Sequence, residues 1–394
     1  MPPYPESIQQ WSEQVSQHFP CLSRPQAVVL ALWSYAAQVV QSCGQSQVTY
    51  FLAQLLDEKE DTLRQRLREW TWERAAKAGE HRQEVAVAPC FGWLLAWVVS
   101  AWAPSEQRLA LALDATSLGQ RFVVLAVSVL YRGCAIPIAW QVLPASQPGA
   151  WQPYWLDLLE QLQGLVPADW LVLVLTDRGL FAPWLFRAIV RHGWHPFMRI
   201  NAGGKCRLEG ASEFCPLSDW VRPAGQVWRG RVVCFKSAQL KASLLTWVAE
   251  GYTDPWLILT DLAPEAAEIS WYSLRAWIEA SFKDTKSGGW QWQHTRMTDP
   301  ERASRLWLVL ALALLYAANL GSQTDPCGHA SMLPEVPPDS RQPPATQRCP
   351  SARRLSLVRQ GHLNCLANLI RFHSLPPLAA YAPNPWPTFK KTYP

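Results

Sequence analysis

The stretch from Arg108 to His192 admits few folds. Three consecutive apolar runs, RLALALDAT, RFVVLAVSVLYRG and CAIPIAWQVL, precede a helical stretch from about Trp151 to Gly164. A fourth apolar run, DWLVLVLTD, and a helical stretch from Phe181 to His192 follow. Runs of Val, Leu and Ile with polar boundaries read as buried strands. Three in succession can form a meander, whereas a strand reached through a helix pairs in parallel. The succession is that of a ribonuclease-H-like sheet, in which the first and fourth strands lie side by side. Both end on a charge: Asp114 follows Leu111-Ala112-Leu113, and Asp177 follows Leu173-Val174-Leu175-Thr176. A carboxylate at the end of a buried strand is costly unless it is paired or bound to metal, and these two would share one cleft. Either alone would equally suit a helix cap or a turn.

A third acid lies downstream in YSLRAWIEASFKDTK, where Tyr272, Arg275, Glu279 and Lys286 are spaced Y-x2-R-x3-E-x6-K. The stretch lacks Pro and Gly and reads as one α-helix. At roughly 100° per residue these four side chains fall within about a 60° arc. Such a stripe can be a plain solvated face. With Asp114 and Asp177 at neighbouring strands it reads instead as the completion of a site. Three carboxylates without a Cys or His set form a hard oxygen site suited to Mg²⁺ or Mn²⁺. Two ions there can flank one phosphate, which is chemistry for cleaving or transferring phosphodiesters.

The strand order is that of an α/β fold with a ribonuclease-H-like mixed-sheet catalytic core. Residues 106–198 and 263–320 are assigned to it. Residues 1–105 read as an all-helical N-terminal domain. There Val48 to Leu56 and Asp61 to Ala76 form either a helix-turn-helix contacting DNA through Arg64, Arg66, Arg68 and Arg74, or an ordinary helical hairpin with a basic face. Residues 199–262 read as a β-rich insertion of unfixed pairing. Between Arg199 and Lys241 eight bases face three acids, a local excess able to follow a phosphate backbone. The last 75 residues hold 13 of the 32 prolines and read, over 321–394, as an extended, basic appendage with one short helix from Ala352 to Phe372.

The net charge of +5 permits an anionic partner without demanding one. Ten scattered cysteines without CxxC pairs, and an N-terminus without a signal-peptide pattern, lead to the expectation of a reduced cytoplasmic protein. The longest apolar run, Trp307 to Leu320, is too short to span a bilayer and reads as a buried helix, so no membrane association is expected.

DATS around Asp114, TDRG around Asp177 and the Y-x2-R-x3-E-x6-K segment, in that order, together resemble the DDE transposases of the insertion-sequence-four group, the cut-and-paste enzymes of bacterial mobile elements. The resemblance spans roughly residues 105–320. It implies that Asp114, Asp177 and Glu279 are the catalytic metal ligands for two Mg²⁺ or Mn²⁺ ions, and that Tyr272, Arg275 and Lys286 contact DNA phosphates near the cleaved end. It also fills the gap of 102 positions from Asp177 to Glu279 with the β insertion. Hairpin-forming members stack a Trp on a flipped base, and the likeness of PWLILTDL to that segment points to Trp256, with Trp228 and Trp247 as competitors. Arg178 is expected at the cleft, on a phosphate or a neighbouring carboxylate; His294 and Arg296 would extend the DNA surface. The implied partners are double-stranded DNA, as terminal inverted repeats and target, and a second copy in a synaptic dimer. A stand-alone nuclease of the same fold and a transposase-derived repressor are the alternatives. Inverted repeats flanking the coding region would separate the first, a broken acidic triad the second.

Overall fold

A computed structural model describes residues 4–79, 82–147, 149, 151–324 and 355–388. Five helices come first: α1 (Glu6–His18), α2 (Arg24–Val40), α3 (Gln45–Leu56), α4 (Glu60–Thr71) and α5 (Ala88–Ser100). The first is an addition to the helical segments anticipated, although Ile8, Trp11 and Val15, all buried, have helical spacing. A capping box starts α2: the Ser23 amide donates to Gln26 Oε1 at 2.9 Å, and a proline occupies the first turn.

The strands are β1 (Arg108–Leu118), β2 (Phe122–Tyr131), β3 (Cys134–Pro144), β4 (Leu171–Thr176) and β5 (His195–Arg199). Helix α6 (Gln152–Glu160) precedes β4 and α7 (Pro183–Arg191) precedes β5. Five more strands follow: β6 (Lys205–Leu208), β7 (Cys215–Pro216), β8 (Val227–Cys234), β9 (Leu240–Trp247) and β10 (Trp256–Thr260). All ten form one mixed sheet in the order β3-β2-β1-β4-β5-β10-β9-β8-β6-β7. The meander β1 to β3 is antiparallel, and β4 and β5 add in parallel. This is the ribonuclease-H-like order expected. The pairing left open by the sequence is resolved at β5, where β10 adds antiparallel through Ile258↔Arg199 and Leu259↔Met198. The strands between Asp177 and Glu279 thus extend the same sheet instead of forming a sheet of their own.

After the sheet come α8 (Trp277–Thr285) and α9 (Pro300–Gln323). At 24 residues α9 exceeds the apolar run that marks its centre and is long and apolar enough to cross a bilayer. Yet 94% of its most apolar window is buried inside the protein. It lies between β3 and the N-terminal helices α2 and α4, so each of its leucines gains about 1.5–3 kcal/mol from burial within the protein. Its one deeply buried cation is satisfied: Arg305 donates to the carbonyls of Val85 at 2.9 Å and Thr71 at 2.7 Å, tying α9 to the N-terminal region.

The C-terminal residues depart from expectation. Of the anticipated appendage, 325–354 and 389–394 lie outside the described residues. The remainder packs on the core. Helix α10 (Leu357–Phe372) lies along α9, and Gly361 and Gly321 allow the approach, since a Cβ on either would collide with backbone of the facing helix. Beyond α10 the chain runs extended to residue 388 with Tyr381, Asn384 and Trp386 buried. Composition misled because proline removes donors without preventing aromatic side chains from being buried.

Candidate active site

Register brings the two aspartates together. Strands β1 and β4 pair from Arg108↔Leu171 to Leu113↔Thr176, so Asp114 and Asp177 are the next residues in line. Only β4 ends there. Strand β1 continues to Leu118 against β2, with Asp114 opposite Ala126, so Asp114 sits mid-strand where its parallel neighbour runs out. Asp114 Oδ1 accepts from the Ala115 amide at 2.8 Å. Asp177 Oδ1 accepts from the Leu180 amide at 3.0 Å, closing a turn and leaving Oδ2 toward the cleft.

The segment bearing the third acid is not one α-helix. Ile269–Ala276 is 3₁₀, Trp277–Thr285 is α, and Lys286 falls beyond the end with non-helical backbone angles. The 60° arc therefore does not describe it, because a 3₁₀ turn advances about 120° per residue. Arg275 and Glu279 nevertheless meet across the junction. Arg275 Nη1 donates to Glu279 Oε1 at 2.5 Å, its Nη2 donates to Asp114 Oδ2 at 2.7 Å, and Asp177 Oδ2 lies 3.8 Å from Nη2. One guanidinium thus faces all three acids. Its side chain is 10% exposed, against 16% for Asp114, 42% for Asp177 and 61% for Glu279.

Burial and mutual charge shift Asp114 and Arg275. Desolvation pushes the Asp114 carboxyl up to about 6, although Arg275 and the Ala115 amide pull the other way. For Arg275, burial alone would lower the pKa, but the negative charge around it, Asp114 foremost, raises it overall. Lys286 donates through Nζ to Thr116 Oγ1 and to the Ser117 carbonyl, both at 2.7 Å, and burial lowers its pKa. Thr116 follows Asp114 by two on β1 and so shares its face, placing the ammonium beside the acids. The sequence reading passed over Thr116 and Ser117; the period of two along β1 was the available signal.

Other expected DNA contacts are buried or paired in this structure. Tyr272 is 1% exposed and lies edge-on to Trp256 at 5.2 Å. Trp256, on β10, is 7% exposed and also packs edge-on to Trp247 at 5.0 Å, so in the free chain it is a core residue. Trp247 and Trp228 are half-buried; Trp228 rests on Trp220. Arg178 takes the carboxylate alternative: its Nη1 is 3.0 Å from Asp254 Oδ1, while Arg199 holds Oδ2 at 2.9 Å. Neither Asp254 nor Arg199 stood out in the sequence as part of this network. His294 and Arg296 are exposed, in a loop that Arg121 grips through the carbonyls of Gln293, Thr295 and Met297.

Among the described residues no three acidic, histidine or cysteine side chains stand close enough together to hold a metal ion. The donor chemistry nonetheless fits a hard cation. Asp114, Asp177 and Glu279 offer oxygens alone and all point at one positive centre, the Arg275 guanidinium. In the free chain the Arg275 guanidinium lies among these acids.

The transposase DDE domain family matches residues 110–316, just over half of the chain and all three acids. No curated protein matches. Among solved structures, a cryo-EM structure of a piggyBac transposase synaptic complex with hairpin DNA is similar at a TM-score of 0.40 and 11% identity. That similarity covers 81% of this chain and 74% of the other. Family pattern and strand order coincide over the same residues, and the chain belongs to the transposase DDE domain family.

Proposed function

We propose that the chain is the transposase of a cut-and-paste mobile element of the insertion-sequence-four type. It cleaves DNA at its element's terminal inverted repeats and joins the freed ends to target DNA through a hairpin intermediate, working as a dimer in the synaptic complex. The observation that carries this reading is the meeting of Asp114, Asp177 and Glu279, from β1, the end of β4 and α8, around one cationic head. Acids from three separate elements converge on a point only if the fold is built to present charge there.

Asp114, Asp177 and Glu279 would hold Mg²⁺ or Mn²⁺, whose chemistry is to activate the attacking water or 3′-hydroxyl and to stabilise the leaving oxygen. The protein's own groups divide the remaining work. Arg275 neutralises the acids in the free chain. When a DNA end arrives, its guanidinium swings to a phosphate, which accepts the same two-pronged donation as a carboxylate. Lys286, held at the far end of β1, supplies a point charge to the neighbouring phosphate. Tyr272, on the same turn as Arg275, packs edge-on to Trp256, and a stack of Trp256 on a flipped base would require that aromatic cluster to open.

The test is incubation of the purified chain with duplex DNA carrying its element's end and Mg²⁺. Cleavage to a nick and then a hairpin is expected. Cleavage that survives in Asp114→Ala or Glu279→Ala would refute the site.

A further inference from the structure

We infer that the extended C-terminal segment, residues 373–388, is a positioning element of the active site, with Trp386 as its anchor. The inference deepens the proposed function and rests on it for its kinetic consequence. Trp386 is 6% exposed although it lies in a proline-rich stretch outside the residues that match the family. Its ring meets Trp271 edge-to-face at 5.2 Å, and the Arg108 guanidinium stacks over it at 4.8 Å. One residue on, the Pro387 carbonyl accepts from Ser270 Oγ at 2.8 Å. Trp271 and Ser270 belong to the 3₁₀ turn that presents Tyr272 and Arg275, and Arg108 opens β1, the strand of Asp114. Trp386 therefore joins the two elements whose relative placement sets the Arg275–Asp114 contact.

The segment is fixed along its length, so the anchor has something to pull against. The Tyr381 amide donates to the Ala101 carbonyl and its ring packs on Trp102 and Tyr131. Asn384, buried, accepts from the Arg132 amide at 3.0 Å and donates to the Leu130 carbonyl at 3.0 Å, holding the β2–β3 turn where Arg132 has positive φ. Nearer α10, the Ala379 carbonyl accepts from Asn319 Nδ2 at 2.7 Å. A 3₁₀ turn has poorer hydrogen-bond geometry than an α-helix and holds its shape through such outside contacts. Releasing one face of it would let Arg275 drift, and a displacement of about 1 Å in a catalytic constellation can cost about 100-fold in rate.

Three variants of the full chain test this: Trp386→Ala, Trp386→Phe and Ser270→Ala. Hydrogen exchange reads the coupling without reference to activity. Trp386→Ala should accelerate exchange of the amides of 269–276 while leaving β4 and α9 as in wild type, and Ser270→Ala, which removes one hydroxyl, should show the same pattern more weakly. Single-turnover cleavage of a bound DNA end should fall about 10-fold to 100-fold in Trp386→Ala, with end affinity unchanged and the rate largely restored in Trp386→Phe. Unchanged exchange at 269–276 in both alanine variants would overturn the positioning role, as would a uniform rise in exchange across the protein. If wild type cleaves no end DNA, the proposed function fails, and the exchange pattern still decides whether the segment holds the turn.

Discussion

Arg64 on α4 and Arg275 beside β1 each face a glutamate four residues away, yet they inhabit different environments. Arg64 pairs with Glu60 in the orientation an isolated helix favours, acid before base, with side chains 38% and 39% exposed. Arg275 pairs with Glu279 in the less favourable order, across a junction from 3₁₀ to α, and is 10% exposed. Local propensity explains the first contact and opposes the second. The second exists because Asp114 and Asp177 add charge from the sheet around a guanidinium that is itself only 10% exposed, although Glu279 remains 61% exposed. Sequence spacing is therefore a poor guide to which arginine matters; the company it keeps after folding decides. The same contrast applies to the N-terminal hairpin, where Arg66 is paired with Glu58 at 3.2 Å and the basic face of α4 is partly neutralised by its own acids.

The largest expected effect breaks this comparison at its acidic centre. Asp114→Asn should lower metal-dependent end cleavage by about a thousandfold or more, since metal-borne charge stabilisation is worth several kcal/mol. Arg64→Gln, which likewise removes one charge, from α4, should leave the cleavage rate of bound ends within about twofold. A parallel loss in both, measured by single-turnover assay, would erase the distinction.

Next in size is Arg275→Gln in the metal-free chain. Removing a guanidinium that makes charge-assisted hydrogen bonds to a buried carboxylate should cost about 1.5–3 kcal/mol in urea unfolding, with Mn²⁺ restoring much of it. If stability is unchanged, the three acids do not depend on Arg275 for neutralisation.

Asp284, on the same helix as Glu279, sharpens the contrast from another side, because burial outweighs the nearby Lys283 and pushes its pKa from 3.8 up to about 6. The folded state keeps this proton where the unfolded state has lost it. Stability from this group therefore declines as pH rises from about 4 toward 6, and the decline is complete above that. Asp284→Asn should flatten this part of the stability–pH curve; an unaltered slope would show that the carboxyl titrates normally. The smallest effect is expected at the solvent-exposed pair. Glu60→Gln should cost no more than about 0.5 kcal/mol and vanish in high salt, and a larger, salt-resistant loss would mean that α4 is less solvated than it looks.

Much of the site was legible in the sequence because it is written in strands. Four apolar runs fixed the order of β1 to β4, and that order alone set Asp114 beside Asp177. Glu279 was legible through its spacing from Arg275 and Lys286. The 3₁₀ break between Tyr272 and Glu279 was not, since hydrogen bonding at i+3 instead of i+4 is chosen by tertiary contacts such as Trp271 on Trp386, not by local propensity. The burial of Trp256 was not legible for a related reason: packing on β10 depends on β5 and β9, and the five residues of the strand do not report both neighbours. The C-terminal segment hid behind its prolines. Tyr381 and Trp386 were the signal available there, two aromatic side chains in a stretch otherwise suited to solvent.

In the proposed function Asp114, Asp177 and Glu279 form a single cation site, which Arg275 occupies in the free chain. Titration of Mn²⁺ into the DNA-free protein, followed by the electron paramagnetic resonance of the free ion, tests it most directly. Arg275→Gln should bind Mn²⁺ more tightly than wild type, and adding Asp114→Asn to that variant should abolish the gain. Binding that is weaker in Arg275→Gln, or indifferent to Asp114, would contradict it.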